Sequence, residues 1–303
     1  MLNKAWIRRT AKRWVKESKY LRYVQRLWPD TRLWNRETGT LPSFLVLGAQ
    51  RAGSTFLHGY LRSQTTAESS PLQKEIHYFD NKYYRSLRWY SRFFRKLRDG
   101  TEKRKNFETS PYYVYHPAVP ERIFSSLPEA KLLIVLRNPV DRAISQYKWM
   151  RQIGLETRDA RDAFRKEASQ LDLEQNPAYL KQFRDPLHFE FDHIYRSYLR
   201  RSLYHVQLRR WLRNFPESQI RVLSSKALFG NTHEVIGEIS RFLGIEHHRQ
   251  PQKNAVSQNA SRDDIEIPAD ARMIAKECLS NVETKTKSVL SSEMIIGHTM
   301  DLQ

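Results

Sequence analysis

The chain is predicted to fold as an α/β domain: a P-loop-like parallel β-sheet with helices on both faces, preceded by a basic N-terminal helix. Three observations predict it. After Pro42, short runs rich in Leu, Val, Ile or Phe alternate with helical segments. One run, FLVLGAQRAGSTFL at 44–57, passes through a glycine-bounded turn into a helix start. Another, KLLIVLRNP at 131–139, ends in an arginine just before a proline suited to the first turn of a helix.

Residues 1–36 are dense in Lys and Arg, with Ile7, Trp14, Leu21 and Trp28 recurring every seven residues. A helix there has an apolar and a basic face. It either packs its tryptophans on the domain or lies on an anionic membrane surface or acidic polysaccharide. We divide the chain into this extension, 1–40, and one domain, 41–303. Strands are expected at 43–48, near 105–109, at 131–136 and at 219–224. Helices are expected at 54–64, 82–96, 117–126, 139–152, 159–169, 190–214, 232–243 and 269–290. The polar stretch 246–268 reads as a long surface loop or lid. Ligands of such a sheet gather at the carboxyl ends of its strands, where both the Gly48 and the Arg137 turns lie.

The 303 residues carry a formal charge of +19 with a pI near 10.0, and 40% are hydrophobic. Nucleic acid, anionic lipid, a phosphorylated cofactor and an acidic polysaccharide all satisfy that charge. Cys278 is the single cysteine, which excludes an internal disulfide and a Cys/His zinc cluster. The clearest apolar run, Leu132 to Leu136, is far shorter than a membrane span, and the first residues lack an apolar signal-peptide core. The expectation is a soluble protein, cytoplasmic or membrane-peripheral.

Gly48 and Gly53 have Walker-type spacing, but Ser54 stands where a nucleotide triphosphatase places lysine, and the cation sits inside the loop as Arg51. Backbone N–H groups of Gly53, Ser54 and Thr55 at a helix N-terminus favour an anion. The second apolar strand ends in Arg137 rather than a magnesium-binding acid. This combination favours a doubly phosphorylated nucleotide held by arginines without a metal. Asp141 and Ser145 share one face of the following helix, and Arg137 with the nearby Ser145 hydroxyl can grip a second phosphate. The segment PLQKEIHYFD at 71–80 gathers Lys74, Glu75 and His77 on a loop, where acids and bases of catalysis tend to sit. His77 reads equally as a structural histidine. A P-loop kinase of small metabolites and a non-enzymatic binder of polyanions or nucleic acid are the competing readings.

Together these blocks resemble the phosphoadenosine-phosphosulfate (PAPS)-dependent sulfotransferases, in the carbohydrate branch of the heparan sulfate 3-O- and N-sulfotransferases. GAQRAGSTFL is similar to the family's 5′-phosphosulfate loop, KEIHYFD to its catalytic segment, and LLIVLRNPVDRAISQY to its 3′-phosphate segment. FETSPYYV at 107–114, AVPERIF at 118–124 and RSLYHVQLRRWLRNFP at 201–216 resemble further family blocks, so the likeness covers roughly 45–245.

The resemblance implies that Arg51, Ala52, Gly53, Ser54, Thr55 and Phe56 form the 5′-phosphosulfate site and that Arg137 and Ser145 hold the 3′-phosphate. It implies Glu75 as general base, Arg51 at the leaving oxygen, and His77 orienting Glu75 or the acceptor. PAPS would be the donor, 3′-phosphoadenosine 5′-phosphate (PAP) the product, and a hydroxyl, or second an amine, of a carbohydrate or glycoconjugate the acceptor. No metal and no specific nucleic acid is implied. Thr109 stands at a family lysine, for which Lys74 can compensate, and Arg262 is the candidate for a missing basic segment near the C-terminus. Acceptor choice is assigned to 150–190 and 246–268, where Arg151, Arg158, Arg161, Lys166 and Lys181 either bind an acidic sugar chain or are solvated helix charges.

Overall fold

The computed structural model describes residues 30–33, 35–97, 104–247, 265–297 and 300–302. The N-terminal helix expected over 1–36 falls almost wholly outside them, as do Arg262 and most of the 246–268 loop. One parallel sheet of six strands has the order β2-β3-β1-β4-β5-β6. Its strands are β1 Phe44–Gly48, β2 Ala67–Ser69, β3 Lys105–Thr109, β4 Lys131–Leu136, β5 Ile220–Ser224 and β6 Ile295–Ile296. Helices of at least eight residues are α1 Ser54–Gln64, α2 Val119–Ser126, α3 Pro139–Gln152, α4 Ala160–Ala168, α5 Tyr204–Leu212, α6 Thr232–Leu243 and α7 Ala269–Leu279.

All five residues of β1 and all of β4 after Lys131 are buried. A central parallel strand is covered on both faces, which is why these segments read as unbroken apolar runs rather than alternating ones. Phe44 of β1 stacks on Phe107 of β3 with ring centroids 5.0 Å apart. The chain lays β2 and β3 on one side of β1 and then crosses to β4 on the other. That reversal opens a crevice at the carboxyl ends of β1 and β4.

The four expected strands and helices 54–64, 139–152 and 232–243 are present. The short edge strands β2 and β6 were not foreseen. Three long helices are cut down. The 82–96 segment is helical only at Leu87–Ser91, and the loop before it is held by the Tyr78 hydroxyl, which donates to the Arg85 carbonyl at 3.2 Å. The 190–214 segment becomes Phe191–Tyr195, a 3₁₀ turn at Arg200–Ser202, and α5. There the N–H groups of Tyr198, Leu199 and Arg200 donate to the Glu167 carboxylate on α4 at 2.7, 2.8 and 2.9 Å, so helical carbonyls lose them as partners. The 269–290 segment divides into α7 and Val282–Lys287 at Ser280 and Asn281.

Candidate active site

The turn after β1 is shaped by backbone that only glycine tolerates. Gly48 has φ 139°, and a Cβ there would lie 2.6 Å from the Pro111 carbonyl oxygen. Gly53, with φ 106°, is the N-cap of α1 and supplies no side-chain cap. With no side-chain cap from Gly53, the start of α1 presents the positive end of a helix dipole, which favours an anion. On α3, by contrast, the Asn138 side chain accepts from the N–H groups of Val140 and Asp141.

A cavity of about 1070 Å³ opens at the carboxyl edge of the sheet. The segment after each strand contributes to it: Gln50 to Gly53 after β1, Glu75 after β2, Pro111 after β3, Arg137 and Asn138 after β4, Ser225 and Lys226 after β5, Asp301 and Leu302 after β6. Arg51 Nε donates to Ser145 Oγ at 3.0 Å, and its guanidinium lies 5.4 Å from the Trp149 ring centroid. Arg137 Nη1 reaches the Arg51 carbonyl at 3.4 Å. Burial and then the neighbouring Arg137 charge push the Arg51 pKa down. Two like charges held this close repel, and an anion between them relieves the repulsion.

At Glu75 a chain of polar contacts leads away from the cavity. Lys74 Nζ donates to Thr55 Oγ1 at 2.7 Å and to Glu75 Oε1 at 3.3 Å. His77 Nε2 lies 3.3 Å from Glu75 Oε2, and its Nδ1 lies 2.7 Å from Asp80 Oδ2. Burial depresses the His77 pKa, but Asp80 and Glu75 outweigh it and lift the value to about 10, so the ring is an imidazolium at neutral pH. Burial raises the Glu75 pKa, yet the hydrogen bond and charge of His77, with Lys74, leave it below its ordinary value. Burial pulls the Lys74 pKa down against the pull of Glu75.

Beneath this loop, Glu108 is buried and accepts from Tyr90 at 2.5 Å, Ser110 at 2.6 Å, Tyr113 at 3.0 Å and the Ile76 N–H at 3.1 Å. It pins the residue next to Glu75. Thr109 is wholly buried, and its Oγ1 lies 3.0 Å from His58 Nδ1. Burial and then the Lys74 charge push His58 down to about 4, leaving it neutral. Lys74 is therefore the ammonium next to Glu75, while position 109 holds a neutral pair.

The structure gathers Arg51, Ala52, Gly53, Ser54, Thr55, Phe56, Glu75, Arg137 and Ser145 around one cavity. Lys74 and His77 touch Glu75. Sequence reasoning missed Lys148 and Trp149, although they stand three and four residues after Ser145 and share its helix face. Asp80, Gln50, Lys226, Phe229 and Arg272 gave no such signal. The proposed acceptor cations are largely engaged within the protein. Arg151 donates to the Thr157 carbonyl at 2.6 Å, Arg158 pairs with Glu156 at 2.5 Å, Arg161 with Asp270, and Lys166 with Asp192 at 3.0 Å.

Residues 41–277 match the model of the Sulfotransferase domain family. The chain belongs to the sulfotransferase family. It is 27% identical over 269 residues to the membrane-associated sulfotransferase kil1 of Dictyostelium discoideum, covering 68% of this chain and 57% of that protein. It is 30% identical over 224 residues to the human bifunctional heparan sulfate N-deacetylase/N-sulfotransferase 2, covering 70% of this chain and 23% of that one. This sulfotransferase thus spans just over half the length of the first relative and about a quarter of the second. A crystallised sulfotransferase from Alicyclobacillus acidocaldarius shares the fold, with a TM-score of 0.60 at 24% identity over 82% of this chain and 96% of that one.

The relatives correct one expectation. A sulfotransferase whose kin include a membrane-associated enzyme and heparan sulfate enzymes is not assigned to the cytoplasm. The single cysteine excludes an internal disulfide but does not fix a compartment. Among the described residues no helix is long and apolar enough to cross a membrane.

Proposed function

We propose that this sulfotransferase moves a sulfuryl group from PAPS to a hydroxyl of a carbohydrate or glycoconjugate, with Glu75 as general base. The observation that carries the reading is that Arg51 and Arg137, the uncapped start of α1, and Glu75 line one cavity. An adenosine bisphosphate fits this set: two arginines for phosphate, helix N–H groups for the 5′ end, and a carboxylate beside them. The acceptor oxygen attacks sulfur, the bond from sulfur to the bridging phosphate oxygen breaks, and PAP leaves. The acceptor proton passes to Glu75.

Lys74, in contact with Thr55 and Glu75, is the cation we place at the transfer point. Arg51, against Ser145 and Trp149, reaches toward the 3′-phosphate side. His77, held by Asp80, orients Glu75. An amine acceptor is a second reading, favoured by relatives named as N-sulfotransferases. We keep 41–303 as the transferase unit, with 1–40 as an extension.

Titration with PAP against ATP plus magnesium tests the donor site, and preference for ATP would defeat this reading. Incubation with labelled PAPS and a panel of polysaccharides, glycolipids and phenols, followed by mass analysis, identifies the acceptor.

A further inference from the structure

The 3₁₀ turn that interrupts the expected 190–214 helix places Arg201 beneath the donor loop. Arg201 is 3% exposed and lies over the rings of Tyr112 and Tyr115, at 4.8 and 5.0 Å from their centroids. Its Nη2 donates to the His193 carbonyl at 2.8 Å and to that of Ile194. Its Nη1 donates to the side chain of Gln50, the residue before Arg51. Three residues on, the Tyr204 hydroxyl donates to the Arg137 carbonyl at 2.9 Å, so one short segment braces both arginine turns of the cavity.

An arginine has donors only, so the Gln50 atom that faces Arg201 is the amide oxygen. The amide orientation is fixed by that contact. The NH₂ group meets no partner among the described residues, and Gln50 lines the cavity. With its oxygen taken by Arg201, the Gln50 side chain has only its N–H donors to offer a ligand of the cavity that it lines.

We propose that Gln50 donates this N–H to a non-bridging sulfuryl oxygen of the donor, and that Arg201 is the positioning residue that sets it. The inference rests on the PAPS reading above. Those sulfuryl oxygens carry negative charge before and during transfer, while the electron pair of the breaking bond goes to the phosphate of PAP and the acceptor proton to Glu75. Gln50 exchanges no proton. Its place is to hold the group being passed, which the leaving nucleotide lacks.

Because PAP has no sulfuryl group, the ratio of PAPS to PAP affinity isolates this contact. In the full chain, Gln50→Leu is expected to weaken PAPS by about tenfold or more, the range of one hydrogen bond to a charged group, and to leave PAP within about twofold. Gln50→Glu, which turns a carboxylate toward the sulfuryl oxygens, is expected to weaken PAPS further. Release of PAP from PAPS, with water as acceptor, is expected to slow in the same order. Arg201→Met is expected to reproduce the loss of PAPS affinity and to add nothing in the Gln50→Leu background. Unchanged PAPS affinity in Gln50→Leu, or PAP and PAPS weakened equally, overturns the proposal, and the two Gln50 variants decide this even where Arg201→Met fails to fold. A wild-type chain that bound ATP in preference to PAP and PAPS would instead overturn the donor reading beneath it.

Discussion

Arg51 and Ser145, 94 residues apart in sequence, meet through a 3.0 Å hydrogen bond that ties the turn after β1 to the middle of α3. Arg137 reaches the carbonyl of the same Arg51 at 3.4 Å. The two basic anchors are therefore one hydrogen-bonded unit at the switch point of the sheet. Burial first, and then the Arg137 charge, lower the Arg51 pKa, and a bound phosphate offsets the repulsion between the two.

Arg137→Ala is expected to weaken PAP by about 10- to 100-fold, the range of charge-assisted hydrogen bonds to phosphate. AMP, which lacks the 3′-phosphate, is expected to lose far less. Calorimetric titration of both ligands checks it. Equal losses for the two would move Arg137 away from the 3′-phosphate.

Glu75→Gln is expected to lower turnover by about 10²- to 10⁴-fold, the range of a general base, with PAP affinity held within about threefold. Lys74 contacts Oε1 and His77 contacts Oε2 of Glu75, so the amide oxygen can keep one of the two while the side chain retains its size. Single-turnover measurement on PAPS, paired with PAP titration, separates the two effects. Turnover close to wild type would remove Glu75 as the base.

Much of this site was legible because its signals are local. Gly48, Gly53 and Pro139 each mark a turn or helix start by their own backbone chemistry, and α1 and α3 begin where they predict. What sequence could not show depends on distant partners. The break in 190–214 exists because Glu167, on another helix, takes three backbone N–H groups. The same break carries Arg201 to Gln50, 151 positions away. Likewise, the arginines and lysine of 151–166 looked free for an acidic acceptor until their acids and carbonyls, some close and Asp270 remote, came into view. β6 spans two residues, too few to show any period.

The His77 contacts set a pH dependence. The imidazolium persists to about 10 because Asp80 and Glu75 flank it. Loss of its proton removes the charge-assisted contact by which His77 orients Glu75, which stays ionised at that pH. The alkaline limb of turnover is therefore expected near pH 10 in the wild type. Asp80→Asn removes the largest influence raising His77, so the limb is expected to shift toward the ordinary histidine value of 6.5. A pH–rate profile of the two proteins checks it, and a limb that stays in place would detach His77 from the activity.

Glu156 links acid stability to the packing of 151–198. Burial raises its pKa, but hydrogen bonds from Arg158 and Tyr198 outweigh burial and bring it to about 2 from 4.5. For a carboxylate depressed on folding, the stabilisation is complete above the unfolded value. It is lost as pH falls from 4.5 toward about 2. At roughly 1.4 kcal/mol per pKa unit, and discounted for solvent screening, the contribution is about 1–2 kcal/mol. Glu156→Gln is thus expected to melt several degrees below the wild type at neutral pH, with the gap closing as the solution is acidified through this window. Thermal melts of both proteins across the window test the linkage. A gap that stayed constant with pH would show that the loss comes from packing rather than from the charge.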